Sequence, residues 1–254
     1  MVTGRFMFIR KLKNITWMKT NCMDEDYLVR VYNDTVEYCK NRVFRTNTNV
    51  PLNKPIDNVP SLVEICHEDI LYGARIARQR GYDPVILNMA NEWYPGGGVQ
   101  YGVRAQEEDL FRRTNYHMYI HEDSYPLEGT KCVYTPNVAV IKDEVYNLLD
   151  NIEYYPFIAA SGVMSPILTK SGALSAEDRE LWKEKIRVLF RTAVQYGHDA
   201  IILSAWGCGS YHNPPVDVAM CFREVIREGW GLSLFRFSIN NIDTVNVFQA
   251  VLTE

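Results

Sequence analysis

The sequence predicts an α/β layered domain, on three observations. Short apolar runs alternate with helical patterns, glycine-rich turns follow two of those runs, and no segment is repetitive or low in complexity. Taken in order, Asp24 to Phe44 places Leu28, Val31, Tyr32 and Val36 on roughly one helical face. Arg45 to Pro60, RTNTNVPLNKPIDNVP, is rich in Asn and Pro and reads as a loop. It divides an N-terminal, partly helical extension (1–50) from a main domain (51–254). Leu62–Cys66 then predicts a strand, Asp69–Arg80 a helix, Val85–Met89 a buried strand, and the stretch near Gln106–Ile120 a helix. Ala139–Lys142 and Phe157–Ala160 read as short strands around a loose, Tyr-rich middle. Ser175 can cap a long helix to about Tyr196, with Asp178 completing the N-terminal box. Ala200–Ala205 is a further strand, Pro215–Arg227 a helix with proline allowed at its start, and Leu232–Ile239 and Val245–Leu252 a last strand and helix.

Composition narrows the function. The chain has 254 residues, 47% hydrophobic and 23% charged, which is ordinary for a globular protein. A net charge of −4 gives no general pull toward nucleic acid or anionic membrane, so a polyanionic ligand needs a local site. Six scattered cysteines without a CxxC pair fit a reduced intracellular compartment, cytoplasmic or nuclear. No apolar run approaches the roughly 20 residues of a membrane span. The first 23 residues hold no acid but carry Arg5, Arg10, Lys11, Lys13 and Lys19. An ordered or frayed N-terminal arm is expected there, with a mitochondrial presequence as the alternative.

The stretch from Leu87 to Arg113, LNMANEWYPGGGVQYGVRAQEEDLFRR, is the most informative. Pro95 breaks regular structure, and Gly96-Gly97-Gly98 lets the backbone turn tightly and offer N–H groups to an anionic or sugar ligand. Glu107, Glu108 and Asp109 follow in the first turn of a helix, where their mutual repulsion has a cost that suggests a site. A second loop, Ala205 to Pro215 (AWGCGSYHNPP), ends a strand and opens a helix, a geometry suited to a diphosphate. Neither loop is GxxxxGK[ST] or GxGxxG, which argues against an NTPase or a dehydrogenase.

With Gln106-Glu107-Glu108 seven residues beyond the triple glycine, and WGCG-aromatic-x-N-P-P later, the chain resembles the bacterial-type, short branch of the poly(ADP-ribose) glycohydrolases, a catalytic branch of the macrodomain fold. Val133–Val138 (VYTPNV) and the strand end Glu64–Asp69 fit that branch, and the resemblance runs from about Leu62 to the C-terminus. It implies a three-layer α/β/α domain with a mixed central sheet. It also implies that Asn91 holds the distal ribose, that Gly96, Gly97 and Gly98 line ribose and diphosphate, and that Gln106 belongs to the binding site. Glu108 is implied as the catalytic acid, with Glu107 on the ribose hydroxyls. Gly207, Gly209 and Ser210 would wrap the diphosphate, Tyr211 would supply an aromatic face, and Asp69 would lie near adenine. Residues 159–166, AASGVMSP, depart from the alternating Ala and Pro of that branch.

Adjacent glutamates on a helix diverge by about 100°, so they cannot clamp one anomeric carbon from both faces as paired glycosidase carboxylates do. A single acid–base residue fits better. Glu108 would protonate the departing ribose oxygen and then activate water, its proton favoured by the negative charge around it. No metal or organic cofactor is implied. The expected partners are poly(ADP-ribose) or an ADP-ribosylated protein, with ADP-ribose as product; direct nucleic-acid binding is not indicated. The rival readings are a mono-ADP-ribosyl hydrolase acting on protein or nucleic acid, and a non-catalytic ADP-ribose reader. His117 and His121 could face one metal but read as a helix surface, Cys208 as a packed small residue, Tyr134, Tyr154 and Tyr155 as core or rim, and Glu177–Lys185 as a solvated helix face.

Overall fold

Strand β2 (Pro84–Ala90) is the axis of the molecule because its apolar residues alternate between two cores. A computed structural model describes residues 23–45 and 61–253, so the 46–60 loop and the basic N-terminal stretch lie outside the described residues. The remaining strands are β1 (Leu62–His67), β3 (Cys132–Lys142), β4 (Leu148–Ser161), β5 (Ala200–Leu203) and β6 (Leu234–Ile239), in the order β1-β6-β5-β2-β4-β3. All neighbours are parallel except the antiparallel pair β3–β4.

Among the described residues six α-helices cover the sheet: α1 (Glu25–Lys40), α2 (Ile70–Gln79), α3 (Gln106–Arg113), α4 (Ala176–Gln195), α5 (Pro215–Ile226) and α6 (Ile242–Leu252). Val85 and Leu87 pack with Trp182, Phe190, Phe222 and Phe248 of α4, α5 and α6. Ile86 and Ala90 point the other way, to Leu71 and Ala74 of α2 and Leu110 and Phe111 of α3. This period-two alternation of a doubly buried strand makes the three-layer α/β/α sandwich.

Helix α1 backs onto α3. The Thr35 hydroxyl donates to Arg112 O at 2.5 Å, and the buried Arg112 returns Nε to Leu28 O at 3.3 Å. The family of small and apolar residues facing inward is Leu28, Val31, Thr35 and Cys39. Thr35 and Cys39 thus join the expected Leu28 and Val31 on the buried face, and Tyr32 packs partly buried against the core.

Three expectations need correction. Helix α3 stops at Arg113, not near Ile120, because Thr114 turns extended and bridges Val140, while Asn115 Oδ1 accepts from Ala139 N at 2.7 Å. Edge pairing with β3 there outcompetes the helical pattern, leaving only a 3₁₀ turn at Tyr116–Met118. The Tyr-rich middle is not loose but a long β3–β4 hairpin, hidden in the sequence by an irregularity between Thr135 and Val138, where Asn137 has φ 57°. The Glu177–Lys185 run is not wholly solvated. Asp178 and Lys185 are buried, Asp178 Oδ2 accepting from Ile167 N at 2.6 Å and Lys185 Nζ donating to Ser161 O at 3.0 Å.

Candidate active site

The C-terminal ends of β2, β4 and β5 carry the loops singled out in the sequence, as open parallel sheets place their ligand sites. After β2, Asn91 Oδ1 accepts from Trp93 N at 2.8 Å and Tyr94 N at 3.0 Å, which folds the chain back as an Asx turn. Pro95 follows, and Gly96 and Gly97 take positive φ (78° and 50°). The loop then lies directly over the first turn of α3. A Cβ on Gly96 would meet the Phe111 ring at 2.7 Å, and one on Gly97 would meet Glu108 Oε1 at 2.5 Å and Glu107 Oε2 at 3.2 Å. The two glutamates therefore reach a common glycine despite their angular separation on the helix, because the loop folds across both.

Gln106 fixes the height of α3 against the sheet. Its Oε1 accepts from Met89 N at 2.9 Å and its Nε2 donates to Leu87 O at 2.8 Å, so the side chain pairs with β2 much as another strand would. Three successive carboxylates then enter three different environments. Glu107 turns inward, receiving Asn91 N at 2.6 Å, Gly96 N at 3.1 Å, Asn88 Nδ2 at 3.2 Å and Tyr125 OH at 3.5 Å. Asp109 turns away to Arg113 Nη1 at 2.8 Å and Tyr146 OH at 2.9 Å. Glu108 is buried too, and Gly98 N donates to its Oε1 at 2.9 Å. Among the described residues its second oxygen accepts no hydrogen bond.

Burial pushes the Glu107 carboxyl up to about 8; the Asn91 N–H pulls it back, and the neighbouring Glu108 charge adds to the rise. Asp109 is matched by Arg113, and among the described residues Glu108 pairs with no cation.

A pH dependence of stability follows. For an acid whose folded value is raised, the folded state keeps a proton that the unfolded chain releases. The stabilisation is complete below the ordinary value of 4.5 and lost as pH climbs to about 8. Glu107→Gln is neutral in both states. Its stability relative to wild type should rise by up to about 1.4 kcal/mol per pH unit between pH 5 and 8 and level off above. Urea titrations at several pH values would read this, and a constant gap would refute it.

The second loop begins at the end of β5. Gly207 has φ 74°, and a Cβ there would strike Trp182 at 2.8 Å and Asn213 Nδ2 at 2.9 Å. Asn213 is its internal brace, accepting from Trp182 Nε1 at 2.8 Å and donating to Gly207 O at 3.0 Å and Val163 O at 2.8 Å. Gly209 and Ser210 are exposed, and a Cβ on Gly209 would meet nothing within 4 Å. Tyr211 joins the two loops, its hydroxyl accepting from Glu92 N at 3.2 Å. Gly162, at the end of β4, closes the third side, since a Cβ there would touch Gly207 Cα and Trp182 at 3.2 Å and the Tyr211 ring at 3.4 Å.

Most of the expected residues thus converge. Asp69 is bound differently: it caps α2 through Leu71 N and Tyr72 N, both at 3.1 Å, and pairs with Arg113 at 2.7 Å. Burial works against its charge, but Arg113 and those N–H groups hold its carboxyl below the ordinary value. Burial raises the Cys208 thiol to about 12, which leaves it a packed, unreactive residue. His117 sits edge-on to Tyr32, and no group of three or more His, Cys, Asp or Glu among the described residues could hold a metal ion. Sequence reasoning gave no role to Asn88, the first asparagine of the NxxN that ends β2, or to Asn213, the asparagine of the WGCG-aromatic-x-N-P-P loop. It missed Tyr125, which only tertiary folding brings to Glu107.

Among proteins with curated descriptions, none matches the chain. The poly(ADP-ribose) glycohydrolase of Deinococcus radiodurans, solved in complex with ADP-ribose, is similar at 24% identity and a TM-score of 0.63, over 76% of this chain and 84% of that one. The poly(ADP-ribose) glycohydrolase of Thermomonospora curvata is similar at 19% identity and a TM-score of 0.64, over 94% of this chain and 87% of that one. These likenesses establish a shared fold. Residues 19–143 match the family model described as microbial-type PARG, catalytic domain.

Proposed function

We propose that this protein hydrolyses the ribose–ribose O-glycosidic bond of poly(ADP-ribose) and releases ADP-ribose, with Glu108 as the single acid–base residue. The observation that supports it is the partition of the three carboxylates, which leaves Glu108 facing the glycine loop with one oxygen that accepts no hydrogen bond among the described residues. Glu108 gives its proton to the departing ribose oxygen as the C–O bond breaks and an oxocarbenium ion forms. Water then adds to the anomeric carbon and returns its proton to Glu108. The diphosphate of the substrate stabilises the cation from the side of Gly207, Gly209 and Ser210.

Glu107, anchored by Asn91 N and Gly96 N, bonds the ribose hydroxyls beside the scissile bond, and Tyr211 offers its ring to the ligand. Gly96–Gly98 line the distal ribose through the main chain. Gln106 acts by setting the position of α3, and Asn91 by shaping the loop through its side-chain oxygen while its amide nitrogen faces ribose. Asp69 supports the adenine end through the start of α2, since both its oxygens are engaged. The catalytic unit is residues 51–254, with the N-terminal extension as its support. The five described cysteines are free thiols, which suits a reducing intracellular setting; no helix among the described residues is long and apolar enough to cross a membrane.

Product analysis on poly(ADP-ribose) and on a singly ADP-ribosylated protein, run side by side, tests the reading. ADP-ribose should accumulate from the polymer and only slowly from the single modification. Faster release from the singly modified protein would favour a mono-ADP-ribosyl hydrolase. Tight ADP-ribose binding without release from either substrate would leave a binding module.

A further inference from the structure

Away from the glycine loops, a pocket of about 410 Å³ opens where β4 leaves the shared sheet. Its walls include Arg75 and Arg78 of α2, Glu153, Tyr154 and Tyr155 of β4, and Arg45 beyond α1. Strand β4 pairs with β2 from Phe157 onward and reaches the glycine loops at Ser161. The pocket therefore lies toward the opposite end of the sheet, roughly 20 Å along the strand at about 3.3 Å per residue.

In a chain of net charge −4, three arginines meet here. Arg75 is matched, its Nε donating to the Glu153 oxygens at 3.0 and 3.1 Å, and Tyr155 OH adds a bond to that carboxylate at 3.3 Å. The acid of the pocket is thus already satisfied. Arg78 lies over the Tyr155 ring at 3.7 Å and Arg45 over the Tyr154 ring at 5.6 Å. Both arginines are exposed, and neither pairs with a carboxylate among the described residues. A guanidinium held by its face against a ring keeps its N–H edge available for phosphate oxygens.

We propose that this pocket is a second anion site, in which Arg45 and Arg78 bind phosphate groups of a poly(ADP-ribose) chain whose terminal unit occupies the cleft. The proposal rests on the polymer being the substrate. A chain long enough to reach both sites is gripped twice, and a single ADP-ribose only once.

The test compares Glu108→Gln, which binds without turnover, with the same chain carrying Arg45→Ala and Arg78→Ala. Fluorescence anisotropy with polymer of defined length should show affinity lowered about tenfold, while calorimetry shows ADP-ribose unaffected. The slope of log K against log salt should become shallower by about 1.4, from two phosphate contacts at roughly 0.7 each. Unchanged polymer affinity and slope would overturn the site, as would an equal loss for ADP-ribose. Arginine dependence for single-stranded DNA but not for polymer would also overturn it.

In a second arm, inorganic pyrophosphate titrated into the wild-type protein should move the Arg45 and Arg78 side-chain Nε signals saturably in NMR spectra; no movement would refute an anion site. Failure of the hydrolase reading would show separately, as a wild-type protein that releases no ADP-ribose from polymer.

Discussion

Glu108→Gln should lose about 10²–10⁴-fold in hydrolytic rate while keeping ADP-ribose affinity within a few-fold of wild type. The amide is nearly isosteric and can still accept from Gly98 N, so the loop keeps its seat on α3. What it loses is the ability to give a proton to the departing oxygen and take one from water. Rates on polymer and calorimetry with ADP-ribose read the two quantities independently. Turnover within a few-fold of wild type would remove Glu108 from the mechanism. Glu107→Gln should also slow turnover, with a larger share of its loss appearing in binding.

Gly97→Ala has the next largest expected effect, out of proportion to one methyl group. The position has φ 50°, and the new Cβ would stand 2.5 Å from Glu108 Oε1. Either the carboxylate moves or the loop lifts, and a displacement near 1 Å at a reacting group can cost about 10²-fold in rate. The backbone strain alone is on the order of 1 kcal/mol, so the melting temperature should fall by only a few degrees. A folded variant with near-normal kcat would show that Glu108 need not sit against this glycine.

How much of this was legible in the sequence depended on how local each signal was. The PGGG turn, the acids of α3 and the WGCG loop are contiguous and governed by backbone sterics, so they read directly. The Ser175 cap is of the same kind, with Asp178 N donating to Ser175 Oγ at 3.1 Å. The end of α3 was not legible, because Thr114 leaves the helix for a bridge to Val140, a partner distant in the chain. The β3–β4 hairpin was obscured because Pro136 and Asn137 interrupt the alternation on which strand recognition depends. Which glutamate would turn inward was equally hidden. It is decided by Asn88, Tyr125 and the folded-back Gly96, none of which the helical period reveals.

Helix α3 spans only Gln106–Arg113, too short to keep its own shape in isolation. It is moored at its start by Gln106 to β2, at its end by Thr114 to β3, and along its back by Arg112 to α1. Such a helix behaves as a small rigid lever whose pivots are spread through the protein while its tip is Glu108. On the proposed mechanism, damage at any pivot should reach the Glu108 carboxyl before the global fold gives way. Substitutions far from the cleft, at Thr35 or Asn115 for example, should therefore surface in screens as slow enzymes of nearly normal abundance rather than as unfolded ones.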